Sequence, residues 1–172
     1  NPSISGDYIV WQDNGGGVWD IYLYKRSTKE AAPLTKDSGN NWMPAVHGNY
    51  AAWYCDNSGR TNVILYDIAK GKKTTIDCDA RTIIHGDSVA TEFRPALSDR
   101  YVAWVESDGE NVKFYEIGTG KIGYVSQNSA VQSWPSLHGS KIAWEDYRNG
   151  NADIYMTDLV DPSQFEKRII SD

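Results

Sequence analysis

The chain has 172 residues, is 40% hydrophobic and carries a formal net charge of −6. That is enough apolar material for one globular core, and the scattered Lys and Arg argue against a nucleic-acid backbone or an anionic membrane surface as partner. No apolar run approaches membrane-spanning length, and seven Trp with eleven Tyr favour half-buried pleated sheet.

Taken in order, short alternating segments recur in groups of four. Pro2 to Ser5, Tyr8 to Gln12, Asp20 to Tyr24 and Ala32 to Thr35 read as strands, with the Gly-rich turn Asp13 to Gly17 between the second and third. The next group is Ala45 to His47, Tyr50 to Tyr54, Asn62 to Asp67 and Thr74 to Asp77. It is longer than the others, and the extra residues lie near Asp79 to Ser88. Ile84-His-Gly-Asp87 echoes Val46-His-Gly-Asn49, so this insertion is expected to be a decayed partial repeat forming an outer loop or hairpin. In the third group Tyr101 to Val105, Val112 to Ile117 and Gly123 to Ser126 are the later strands. The fourth group starts at Pro135 and ends on Lys167 to Ser171.

Each group opens with Pro-x-apolar-x-Gly or Asp: Pro2 to Gly6, Pro44 to Gly48, Pro95 to Asp99 and Pro135 to Gly139. Trp11, Trp53 and Trp144 each stand nine residues before Asp20, Asn62 and Asp153, while Trp104 stands seven before Asn111. A period of about 40 residues marks a stacked repeat architecture, and four short strands per repeat fit a propeller blade. Trp11, Trp53, Trp104 and Trp144 are the expected repeat core. The residue before each is Val10, Ala52, Ala103 or Ala143. A large side chain on one face is thus matched by a small one on the other, so stacked blades can fill volume without overpacking. One propeller domain over residues 1–172 is expected, with blades 1–43, 44–94, 95–134 and 135–172.

The phrase Pro-x-Ile-x-Gly-x-x-Ile-Val-Trp-x-Asp followed by Gly-x-x-Asp-Ile-Tyr-Leu-Tyr resembles the TolB-type β-propeller repeat, in the variants found in tandem in surface proteins. The resemblance covers essentially the whole chain. It implies an all-β fold of four four-stranded antiparallel blades. Family propellers usually have six or more blades, so an open ring or part of a larger assembly is expected. The third repeat departs most, with Lys113 where the motif has Tyr. The chain begins at a first strand and ends at a fourth, so no strand exchange is expected to lock the first blade to the last.

Candidate chemistry is sparse. His47 and His138 share one repeat position and are the weak candidates for a metal site or a channel-lining pair. The plainer reading is a polar residue closing the first strand. His85 lies in the insertion. Some TolB-like propellers are metal-dependent pectin-fragment lyases with a His-rich site, but only three His are present. The turns at Asp13, Asp56 and Asp146 lack the spaced carboxylates and terminal Glu of an EF-hand and read as hairpin turns. Asp20, Asn62, Asn111 and Asp153 open every third strand and are expected to bond turn N–H groups. Trp19, Trp42, Trp134 and Tyr147 are the aromatics available to stack on sugars or a partner. Trp42, Phe93 and Trp134 lie just before a blade-starting Pro, where a wedge between blades is the expected role. Cys55 and Cys78 are the disulfide candidates. They follow strands separated by a third, so the bond requires both to bend over the start of that strand. Export would favour its oxidation, and the alternative is two reduced, partly buried thiols. No Ser-His-Asp order, phosphate loop or Cys-x-x-Cys site is present. No catalytic, cofactor-binding or firm metal residue is assigned.

The expected function is a non-enzymatic extracellular or cell-surface structural module that interacts with proteins. It would self-assemble into a surface layer or filament, with itself or other surface proteins as partner and no cofactor, nucleic acid or membrane insertion. The alternatives are a carbohydrate-binding propeller module recognising glycans, and a metal-dependent pectin-fragment lyase.

Overall fold

The computed structural model describes residues 1–37, 39–57, 60–81, 94–106, 111–126, 128–160 and 167–170. Strands and turns account for their regular structure, in four four-stranded antiparallel sheets. Sheet one is β1 (Ser3–Ser5), β2 (Tyr8–Asp13), β3 (Asp20–Lys25) and β4 (Glu30–Pro33). Sheet two is β5 (Asn40–His47), β6 (Tyr50–Asn57), β7 (Arg60–Asp67) and β8 (Lys72–Arg81). Sheet three is β9 (Ala96–Leu97), β10 (Tyr101–Val105), β11 (Val112–Glu116) and β12 (Ile122–Tyr124). Sheet four is β13 (Gln132–His138), β14 (Lys141–Asp146), β15 (Asp153–Asp158) and β16 (Lys167–Ile170). Within each sheet the strands neighbour one another in sequence order, which makes each sheet a meandering blade. The chain forms two compact units, Asn1–Pro95 with blades 1 and 2 and Ala96–Asp172 with blades 3 and 4.

The opening motif has a backbone cause. Gly6, Gly48 and Gly139 take φ of +53°, +53° and +58° in the turn between the first two strands of their blades, a region that costs a residue with Cβ. Blade 3 has Asp99 there. Its turn is held instead by Ser98, whose hydroxyl accepts the Tyr101 N–H at 3.1 Å.

The first strands of blades 2 and 4 are longer than the sequence suggests and run through the expected boundaries at 44 and 135. Proline has no N–H for the ladder, so Pro44 and Pro135 force an irregularity. The register shifts between Trp42 and Ala45 and again between Ser133 and Ser136. Met43 and Trp134, immediately before these prolines, take φ of +54° and +50°. The same strained bulge therefore recurs in both blades. Most of the insertion, with His85, lies outside the described residues, as does Phe93.

Candidate functional site

The two faces of each blade follow from cross-strand pairing. In blade 1, Val10 pairs with Leu23 and Gln12 with Ile21, which puts Tyr8, Val10, Gln12, Ile21 and Leu23 on one face. Ile9 pairs with Tyr24, Trp11 with Tyr22 and Ile4 with Ile9, which assembles an aromatic and aliphatic opposite face. In blade 2 the face equivalent to this second one carries Val46, Ala51, Trp53, Ile64 and Tyr66.

In the first unit, blade 2 lays that Trp face onto the Val10 face of blade 1. Val10, Ile21, Val46, Ala51, Trp53 and Ile64 form one core cluster, with Tyr8, Leu23 and Tyr66 packed around it. Trp53 is wholly buried, and a large ring on a small residue is the fit the alternation implied. Three backbone donors of blade 2 register the contact. Met43 N–H donates to Gln12 Oε1 at 2.8 Å, Val46 N–H to Ser3 Oγ at 3.2 Å and Gly48 N–H to Ser5 Oγ at 3.1 Å. The positive φ at Met43 thus accompanies a donor turned to the neighbouring blade.

The second unit repeats the arrangement. Gln132 lies opposite Asp146, on the face of Ile142 and Trp144, and its Oε1 accepts the Val112 N–H of blade 3 at 3.0 Å. Ile142 and Trp144 are buried. The other face of blade 4, with Ser136, Ala143, Glu145, Ile154 and Met156, is half-buried to exposed. In the first unit the Trp11 face of blade 1 is also open. Ile4 is 63% exposed, and Ile9, Trp11, Tyr22 and Tyr24 are half-buried. Trp11 is therefore not core as expected. It stacks on Tyr22 with ring centroids 5.5 Å apart.

Polar groups on these faces are committed to structure. Asp146 is fully buried. It accepts bonds from Arg148 Nη2 at 2.6 Å, Arg148 Nε at 2.8 Å, Trp144 Nε1 at 3.1 Å and Asn128 Nδ2 at 3.1 Å. Burial pushes its carboxyl up, but the bonds from Arg148 and Trp144 outweigh this and hold it below the usual value. In blade 2 the equivalent Trp53 Nε1 instead donates to Asn41 Oδ1 at 2.9 Å. In blade 3, Lys113 draws Glu106 into an ion pair and lies over the Tyr124 ring, 4.8 Å from its centroid. Burial lowers the Lys113 ammonium, and the bonds to Glu106 and Tyr124 more than reverse that, so its pKa is raised. Trp104 Nε1 is left with no partner among the described residues. The Lys113 substitution explains this, because Glu106 holds the place of Asp146.

The other candidates are dispersed. His47 is half-buried and His138 exposed, in different units. Among the described residues no group of three or more His, Cys, Asp or Glu is placed to hold a metal ion. Asp13 Oδ1 accepts the Gly15 N–H at 2.8 Å, as a turn residue does. Asp20 and Asp153 both accept side-chain donors. Asp20 takes the Thr35 hydroxyl at 2.6 Å, and Asp153 the Asn149 amide at 2.8 Å. Trp19, Trp134 and Tyr147 are exposed, whereas Trp42 is half-buried. Cys55 is a free thiol that stays in the ladder opposite Asn62 rather than bending over β7. Burial and the nearby Asp37 push its pKa up to about 11. The Cys78 side chain lies outside the described residues. Sequence reasoning missed the acceptors Ser3, Ser5 and Gln12. Their signal was present in the pairing of small polar residues with the next blade's Pro-x-apolar-x-Gly.

No family model matches the sequence. A protein TolB homolog of Chlorobaculum tepidum is 29% identical over 98 residues, which is 56% of this chain and 21% of that protein. The crystal structure of TolB from Acinetobacter baumannii superposes with a TM-score of 0.64 at 17% identity, over 98% of this chain and 42% of that one. An oligogalacturonate lyase from Vibrio parahaemolyticus gives 0.61 at 13% identity, over 94% and 49%. The chain spans under half of each of these proteins. Consecutive four-stranded meander blades, stacked Trp face to small face, define a β-propeller protein. Its repeats resemble those of the TolB-type β-propeller family.

Proposed function

We propose that this chain is a non-enzymatic protein-interaction module that associates with further copies of itself into a surface layer or filament outside the cell. The observation that carries the reading is the open face of blade 1. Ile4, Ile9, Trp11, Tyr22 and Tyr24 form a contiguous apolar and aromatic sheet surface, of the composition that protein interfaces favour. The polar groups in hairpin turns are occupied by the fold itself, as at Asp146 and Asp13. Electron microscopy of native material, with light scattering of the purified chain over a concentration series, tests it. Layers, filaments or a mass rising with concentration are expected. A monomer throughout, with no ordered material, overturns it.

A second reading, glycan binding, is favoured by one observation in the second unit. Tyr147 N–H donates to the Val131 carbonyl at 3.0 Å, which sets two exposed side chains together near an aromatic turn. Saturable binding on a glycan array, lost in Tyr147→Ala, supports it. Turnover of unsaturated pectin fragments in the presence of manganese would instead support an enzyme like the lyase to which the fold is similar.

A further inference from the structure

We propose that the Trp11 face of blade 1 seats blade 4 of a second copy, which docks through its Ala143 face, so that copies join head to tail. This rests on the self-association proposed above and specifies its surfaces. Blade 1's open face is the positional equivalent of the face that blade 2 buries. Ile4, Ile9, Trp11, Tyr22 and Tyr24 correspond to Val46, Ala51, Trp53, Ile64 and Tyr66. The structure shows what such a face accepts, because blade 2 places it on Tyr8, Val10, Ile21 and Leu23 of blade 1. Blade 4 presents the equivalents of those receiving residues, Lys141, Ala143, Ile154 and Met156, on a half-buried to exposed surface. Ala143 offers the Trp11 ring the same small platform that Val10 offers Trp53.

The polar registration is available too. Within the first unit the donors Met43, Val46 and Gly48 meet Gln12, Ser3 and Ser5. The equivalent backbone donors on blade 1 are Asn1, Ile4 and Gly6, and the equivalent acceptors on blade 4 are Glu145, Ser136 and His138. Lys141 and Asp158 share the docking face and pair with each other at 3.2 Å, while the Glu145 carboxylate on that face takes the Ser133 hydroxyl at 3.2 Å and keeps acceptor capacity for a donor of the second copy. The two surfaces differ, so the contact is heterologous and propagates unless the rotation closes it.

Sedimentation velocity of the wild-type chain, Trp11→Glu, Ala143→Arg and an equimolar mixture of the two variants tests the assignment. The wild type is expected to gain mass with concentration. Each variant alone should lose association, with a dissociation constant raised at least about thirtyfold, as for a central interface residue. The mixture should form 1:1 dimers and stop, because each variant keeps one intact face. Should Trp11→Glu fail to fold, judged by its thermal melt, Ala143→Arg and Glu145→Lys decide alone. Variants that associate as well as the wild type overturn the face assignment and leave self-association standing. A wild type that remains monomeric at every concentration overturns both.

Discussion

Trp11 and Trp53 occupy the same place in consecutive repeats, and each lies across the ladder from a third-strand residue, Tyr22 or Ile64. Trp53 is wholly buried, whereas Trp11 is half-exposed and stacks on Tyr22. The repeat motif around the two is shared, and the neighbour makes the difference. Blade 2 rests its Trp on blade 1, while the Trp of blade 1 lies on the face that carries the exposed Ile4. In a stacked repeat a residue becomes core only when the adjacent repeat lies on it.

The sharpest test of that contrast is truncation. Trp53→Ala or Trp144→Ala should cost roughly 3–5 kcal/mol, because a fully buried ring is removed and a cavity is left. Trp11→Ala, measured under conditions where the chain is monomeric, should cost less than about 2 kcal/mol. Urea unfolding of the three variants checks this, and equal losses would break the comparison.

The next effect separates the two Trp anchors by charge. Asp146→Ala strands the Trp144 and Arg148 donors and should cost about 2–4 kcal/mol. The wild-type carboxyl sits below its ordinary value in the fold. Its contribution is therefore fully present above the unfolded carboxylate pKa of about 3.9 and is lost as pH falls through the depressed folded value. Thermal melts between neutral and acid pH should show that loss, and Asp146→Asn should flatten it. Trp53 is anchored by the neutral Asn41, so Asn41→Ala should destabilise without adding a pH dependence.

A smaller change concerns blade 3. Lys113→Met removes the partner of a mostly buried Glu106 and should cost about 1–3 kcal/mol. Lys113→Tyr restores the residue found opposite Trp11 and Trp144 and should recover part of it, because Glu106 is freed to accept from Trp104 Nε1. Denaturant midpoints of the two variants decide the order.

The smallest effect is kinetic. With its pKa at about 11, Cys55 is thiolate in only about one molecule in ten thousand at neutral pH. Native labelling should be slow and should accelerate as pH rises. Labelling of the denatured, unreduced chain counts the free thiols. Two labelled cysteines are expected from the position of Cys55 in the ladder, and none would mean that it leaves that ladder to bond Cys78.

The four-blade meander, the two faces of every blade and the hairpin turns were legible in the sequence. They follow from period-two alternation, from Gly where φ is positive, and from Trp recurring nine residues, or seven in the third repeat, ahead of Asp or Asn. These are local properties of a chain whose strands pair with their sequence neighbours. The bulges at Met43 and Trp134 were half-legible, since Pro44 and Pro135 deny a ladder donor, but their strained φ depends on what lies across the sheet. Which Trp is core, which Asp is buried and which His stands exposed were decided by tertiary structure alone. The Trp and the opening Pro-x-apolar motif recur in every repeat, and burial is set by whether another blade supplies the opposite surface.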